Sequence, residues 1–141
     1  MIKKIYSRIE AGKLLHLVCC PNKTDSARTD VVDDEQFLQL AILNFNKGRT
    51  FIPHKHIEKE VPTTAIAQES WVIIRGKVSA KFYDLNDEII ETAELNSGDV
   101  SITLYGGHNY EILEDDTLVL EYKTGPYYGQ KLDKVFIDDQ D

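Results

Sequence analysis

The chain has 141 residues, 42% of them apolar, and its 24 acids against 16 bases give a net charge of −8. These figures fit one globular domain and exclude a disordered tail, a coiled coil and a fibrous repeat. The acidic balance speaks against nucleic acid as a partner, since phosphate binding needs a basic face, and no apolar run approaches the ~20 residues of a membrane span.

Residues 1–34 are the least regular portion and are expected to supply an extra strand that wraps the main body or a partner subunit. Lys3 and Lys4 precede an apolar stretch at 14–20, which imitates a secretory leader. That stretch is short, is broken by His16, follows Glu10 and Lys13, and has no small-residue cleavage site after it. Cys19 and Cys20 stand side by side, where a disulfide would close a strained ring. The reading is therefore a cytoplasmic chain without a disulfide framework, its cysteines serving as small apolar residues.

Acids cluster at residues 33–36, the best place for a short helical turn. Residues 37–45 (FLQLAILNF) are apolar on both alternating faces, as in a strand covered on both sides, and the turn Asn46-Lys47-Gly48-Arg49 ends them. A second strand is expected over 50–56 and a third over 69–74, closed by Arg75-Gly76. Strands over 78–83 and 88–95 flank Asp84-Leu85-Asn86-Asp87, a hairpin signal. Further strands are expected over 100–104, 108–113 and 117–123, and the acidic residues 138–141 form a frayed end. No window carries a sustained helical stripe. Short strands with frequent turn signals predict an all-β sandwich or barrel in a single domain.

Three of the four histidines stand out. His54 and His56 form an H-x-H pair on an expected strand, so both rings project to one face about 7 Å apart. At ~2.1 Å per bond, two such imidazoles can share one divalent ion. Glu69 opens a following strand, and His108 follows the loop Tyr105-Gly106-Gly107. Three imidazoles and one carboxylate suit Mn, Fe, Co, Ni or Zn. An isolated H-x-H is usually coincidence, and glycine framing is what raises its weight here.

Gly48-RTFIP-His54-Lys55-His56 and Glu69-SWVIIR-Gly76 match the opening and close of the first motif of the cupin superfamily. Gly98-DVSIT-Leu104-Tyr105-Gly106-Gly107-His108 looks like its second motif. The chain also resembles small single-domain cupins encoded among genes for bacterial surface-polysaccharide biosynthesis, through FLQLAILNFNKGRTFIPHKH, QESWVIIRGKV and EYKTGPYYGQKLDKVFI. The resemblance implies a jelly-roll β-barrel with its core at 36–124, an N-terminal extension at 1–34 and a C-terminal tail at 125–141. It implies one divalent transition metal ion held by His54, His56, Glu69 and His108. Twelve residues separate His56 from Glu69, more than in the family's short pattern, and Leu104 replaces a motif proline. Glu60 is therefore a rival ligand. Glu69 is preferred because it opens a clear strand and is followed at the family spacing by Gly76, and the insertion at 57–68 then becomes a loop at the barrel mouth.

The same resemblance implies a sugar or nucleotide-sugar context. A metal-dependent isomerase, epimerase or oxygenase is the first reading, a non-catalytic binding module the second and a purely structural ion the third. The ligand is expected to be small and chelating or anionic. Tyr110 shares a strand face with His108 and is the weak catalytic candidate, although an aromatic filling the barrel is as good an explanation. Trp71 could stack on a sugar or base. Glu121 and Lys123 could form an inward pair, but a solvated outer face is the commoner explanation. Tyr127 and Tyr128 could cap the mouth or cover a partner, and open sheet edges favour a homodimer.

Overall fold

A computed structural model of the protein describes residues 1–21, 26–33, 35–43, 46–47, 49–50, 52–53, 55–56, 65–126 and 128–137. The strands are β1 (Ile2–Tyr6), β2 (Leu14–Cys19), β3 (Arg28–Asp30), β4 (Ala41–Leu43), β5 (Glu69–Arg75), β6 (Lys77–Tyr83), β7 (Ile89–Asn96), β8 (Val100–Thr103), β9 (His108–Ile112) and β10 (Leu118–Lys123). One four-residue helix, α1 (Gln130–Asp133), follows them. The fold is all-β, and among the described residues no helix is long and apolar enough to cross a membrane.

Alternation of side chains builds the core. On β6, Val78, Ala80 and Phe82 point one way and are fully buried, while Lys77, Ser79 and Lys81 point the other. β6 sits at the centre of a three-stranded antiparallel sheet, β7-β6-β9, and its apolar face packs on a five-stranded sheet, β1-β2-β8-β5-β10. Ile5, Val18 and Ile73 from the larger sheet and Leu95 from β7 complete the layer between them. Each fully buried side chain of this size contributes about 1.5–3 kcal/mol. The chain crosses from one sheet to the other at Gly76, where φ is 84° and a Cβ would collide with Thr117. Only glycine fits such a turn without strain.

The outer face of the larger sheet carries a second core. Leu17, Cys19, Val100, Ile102 and Leu104 are covered there by Val31, Val32, Leu38, Leu40 and Ile42. Thus β1 and β2 extend the main sheet, while the β3–β4 hairpin segment lies across it.

Several sequence expectations are corrected. No barrel closes among the described residues; they form two facing sheets and a small hairpin. The strand expected over 37–45 shrinks to Ala41–Leu43. Ahead of it, Gln36 N bonds Asp33 O, the Gln39 amide bonds the carbonyls of Asp33 and Gln36, and Leu38 N bonds the Gln68 side chain. These local bonds take backbone groups that a longer ladder would need. Of the strand expected over 50–56, residues 50, 52, 53, 55 and 56 lie outside any strand, while Phe51 and His54 fall outside the described residues. Pro53 has no N–H to give to a ladder there. The strands expected from residue 69 onward are found with small shifts at their ends.

Candidate functional site

Cross-strand register lays a polar row across the inner face of the five-stranded sheet. His16 on β2 lies opposite Thr103 on β8, Thr103 opposite Glu69 on β5, and Glu69 opposite Lys123 on β10. The next row holds Val18, Ser101, Trp71 and Glu121. From the facing sheet, β9 brings His108 above the first row and Tyr110 above the second.

The two sheets meet through these groups. His108 Nε2 lies 3.1 Å from Glu69 Oε1. Trp71 Nε1 donates to Glu69 Oε1 at 3.0 Å and to Glu121 Oε2 at 3.2 Å. The Trp71 and Tyr110 rings stack at 3.9 Å with an interplanar angle of 10°, and the Tyr110 and Ser101 hydroxyls are 2.9 Å apart. Burial works to raise the pKa of Glu69. The hydrogen bond and charge of His108, the Trp71 N–H and the charge of Lys134 outweigh it and hold the carboxyl below its ordinary value. Burial pushes the Tyr110 phenol well up, so it is a neutral hydroxyl at physiological pH. His108 Nδ1 is buried and has no hydrogen-bond partner among the described residues. A buried nitrogen left in that condition costs about 1–3 kcal/mol and calls for an explanation.

Glu69 and His108 open onto a cavity of about 590 Å³, lined also by Thr103, Gly106, Lys123 and residues 133–137. That volume suits a small ligand. The sharp turn at Gly106, φ 79°, brings the loop so close to the Tyr83 carbonyl and the His16 ring that a Cβ would meet both.

His16, which the sequence offered only as a break in an apolar run, is fully buried behind this floor. Its Nε2 lies 3.0 Å from the Tyr83 carbonyl oxygen and must donate to it, so Nδ1 accepts from the Thr103 hydroxyl at 3.1 Å. The ring is thereby held neutral. Burial lowers its pKa to about 4; the Tyr83 bond and the Asp84 charge act against that shift, and His108 adds to it. An unfolded chain takes up a proton near the ordinary 6.5, whereas the folded one resists until about 4. Stability is therefore unaffected by this group above pH 6.5, falls as pH drops toward 4, and is flat below. The loss is about 3 kcal/mol at about 1.4 kcal/mol per pH unit. Urea unfolding from pH 7 to 4 should show this slope, and His16→Gln should remove it; an unchanged slope in the variant would contradict the assignment.

Of the four expected ligands, Glu69 and His108 are brought together. His56 is exposed, and no group of three His, Cys, Asp or Glu among the described residues is placed to hold a metal ion. His54, Glu60 and Tyr127 lie outside the described residues. Tyr110 covers one face of Trp71, so a ligand ring has only the opposite face to stack on. Glu121 and Lys123 turn to the inner face, against the outward placement taken as commoner: Glu121 reaches Trp71 and Lys123 pairs with Asp133, while Leu120 and Tyr122 point outward, 42% and 55% exposed. Tyr128 is exposed, Cys19 is buried with its thiol pushed up by burial, and Cys20 is half-buried. No protein-family model, curated protein or solved structure matches the chain.

Proposed function

We propose that the chain is a jelly-roll cupin that uses one divalent transition ion, held by His54, His56, Glu69 and His108, to bind a small oxygen-rich ligand such as a sugar or nucleotide-sugar. The observation that carries the reading is the Glu69–His108 pair, one group from each sheet, at the floor of the cavity. Two cis ligands at ~2.1 Å from an octahedral ion stand ~3.0 Å apart, close to the 3.1 Å between His108 Nε2 and Glu69 Oε1.

Bound there, the ion would act as a Lewis acid on a chelating or anionic ligand oxygen. The chain's own groups then orient it. Trp71 fixes the Glu69 carboxylate, Lys123 and Lys134 set positive charge beside it, and His16 with Thr103 braces the row from behind. The first reading is an isomerase, epimerase or oxygenase. The alternative, a non-catalytic binding module, gains from one observation: the Tyr110 phenol is stacked on Trp71, bonded to Ser101 and raised in pKa, which suits a packing residue better than a proton donor.

A panel of nucleotide-sugars with metal-replete protein tests the two. Turnover that disappears in His54→Ala supports the enzyme. Metal-dependent heat of binding without product supports the module, and neither heat nor product removes both. A homodimer is part of the proposal; a monomer in sedimentation at micromolar concentration would remove it.

A further inference from the structure

We propose that residues 128–137 form a hinged cover over the Glu69–His108 cavity, latched by the Lys123–Asp133 ion pair, and that a ligand enters by releasing that latch. Residues 133–137 line the cavity, so the segment is one of its walls. Two anchors hold it. Lys123 Nζ lies 3.0 Å from Asp133 Oδ2, with side chains 23% and 12% exposed, so water screens this pair less than a surface one. The Ile137 side chain rests against Gly107, where a Cβ would strike it.

Among the described residues little else fixes the segment. Leu132, Val135 and Phe136 are 80%, 90% and 75% exposed, so its apolar side chains contribute little burial. Its backbone bonds among the described residues are internal, from Leu132 N to Gly129 O and from Lys134 N to Gln130 O. A segment held by few contacts, with exposed backbone, belongs to the low-stability end of a structure, from which covers are drawn. Its charge is also placed to matter: Lys134 acts on Glu69 across the cavity. Opening would withdraw Lys134 from Glu69 and Asp133 from Lys123 in a single movement.

The cover depends on the proposed ligand site for its purpose, but its test needs no metal. Histidine modification by diethyl pyrocarbonate, read residue by residue in peptide masses of the full-length chain, reports access to His108. Asp133→Asn breaks the latch and Ile137→Ser weakens the second anchor. Each should raise the His108 modification rate about fivefold to tenfold, and the double variant should raise it further. The buried His16 serves as the internal control and should stay unreactive. Equal His108 rates in the native chain and all three variants would overturn the cover. A rise shared by His16 would mean general loosening and would overturn it too. Absence of metal binding, by contrast, would remove the proposed function and leave this result standing.

Discussion

Replacing His108 by alanine is expected to weaken binding of Mn(II), Co(II) or Ni(II) by about a hundredfold or more, since even residues that only support a ligand cost 10–100-fold. The chain's one tryptophan supplies the readout. Trp71 Nε1 sits 3.0 Å from Glu69 Oε1, so a paramagnetic ion bound at that carboxylate should quench its fluorescence. Titration of the native chain should give a saturable quench, and His108→Ala should shift it to far higher metal concentration. Glu69→Gln should do the same. Glu121→Gln, which removes the charge beside the indole N–H and keeps an amide oxygen to accept from it, should leave the midpoint nearly unchanged. Equal midpoints in all four proteins would mean that the ion binds elsewhere.

The second large effect concerns the layer between the sheets. Phe82 is fully buried on β6, packs with Val78, Ala80, Ile73 and Leu95, and meets the His16 ring at a centroid distance of 4.8 Å. Phe82→Ala is expected to cost about 3–5 kcal/mol, because the cavity left between two strands can collapse only in part. For a chain of this size that lowers the thermal midpoint by roughly 10 °C or more. Leu120→Ala, on the outward side of β10 and 42% exposed, should cost under about 1 kcal/mol. Calorimetry on the two variants checks both the packing of the sheets and the outward direction of Leu120. Similar losses in the two would contradict the sheet arrangement.

What the sequence made legible follows from how strictly residues alternate. On β6, lysines and a serine interleave with Val78, Ala80 and Phe82, so period, face and ends could all be read. The stretch 37–45 is apolar at every phase, and such a run does not reveal whether it pairs as a strand or lies as a cover. Here most of it lies as a cover, since Leu38, Leu40 and Ile42 pack on the outer face of the larger sheet. On β10 the apolar face misdirected the reading, because it is the exposed one. A solvated outer face was the commoner explanation for Glu121 and Lys123, but the outer face carries Leu118, Leu120 and Tyr122, while Val119 joins the core between the sheets.

The site was legible in its chemistry and less so in its surroundings. Glu69 and His108 were singled out because few residue types bind transition ions and both open strands, His108 directly after Gly106-Gly107; the structure brings the two side chains together. His16 gave no such signal. Its role comes from register alone, which sets β2 beside β8 although more than eighty residues separate them in the chain. The cover over the cavity was invisible for a plainer reason. Residues 128–137 have no period and little apolar burial, and among the described residues they are placed by one ion pair and one isoleucine. Parity on a strand signals which groups can meet across a sheet; it is silent about what arrives from a distant segment.

Elemental analysis of the protein, exchanged into buffer containing Mn, Fe, Co, Ni and Zn and then freed of loosely held ions, is the most direct measurement. About one transition ion per chain is expected, falling to a trace when His108→Ala is combined with Glu69→Gln. A native chain that retains none, or a double variant that retains as much as the native chain, would contradict a metal centre at the Glu69–His108 pair.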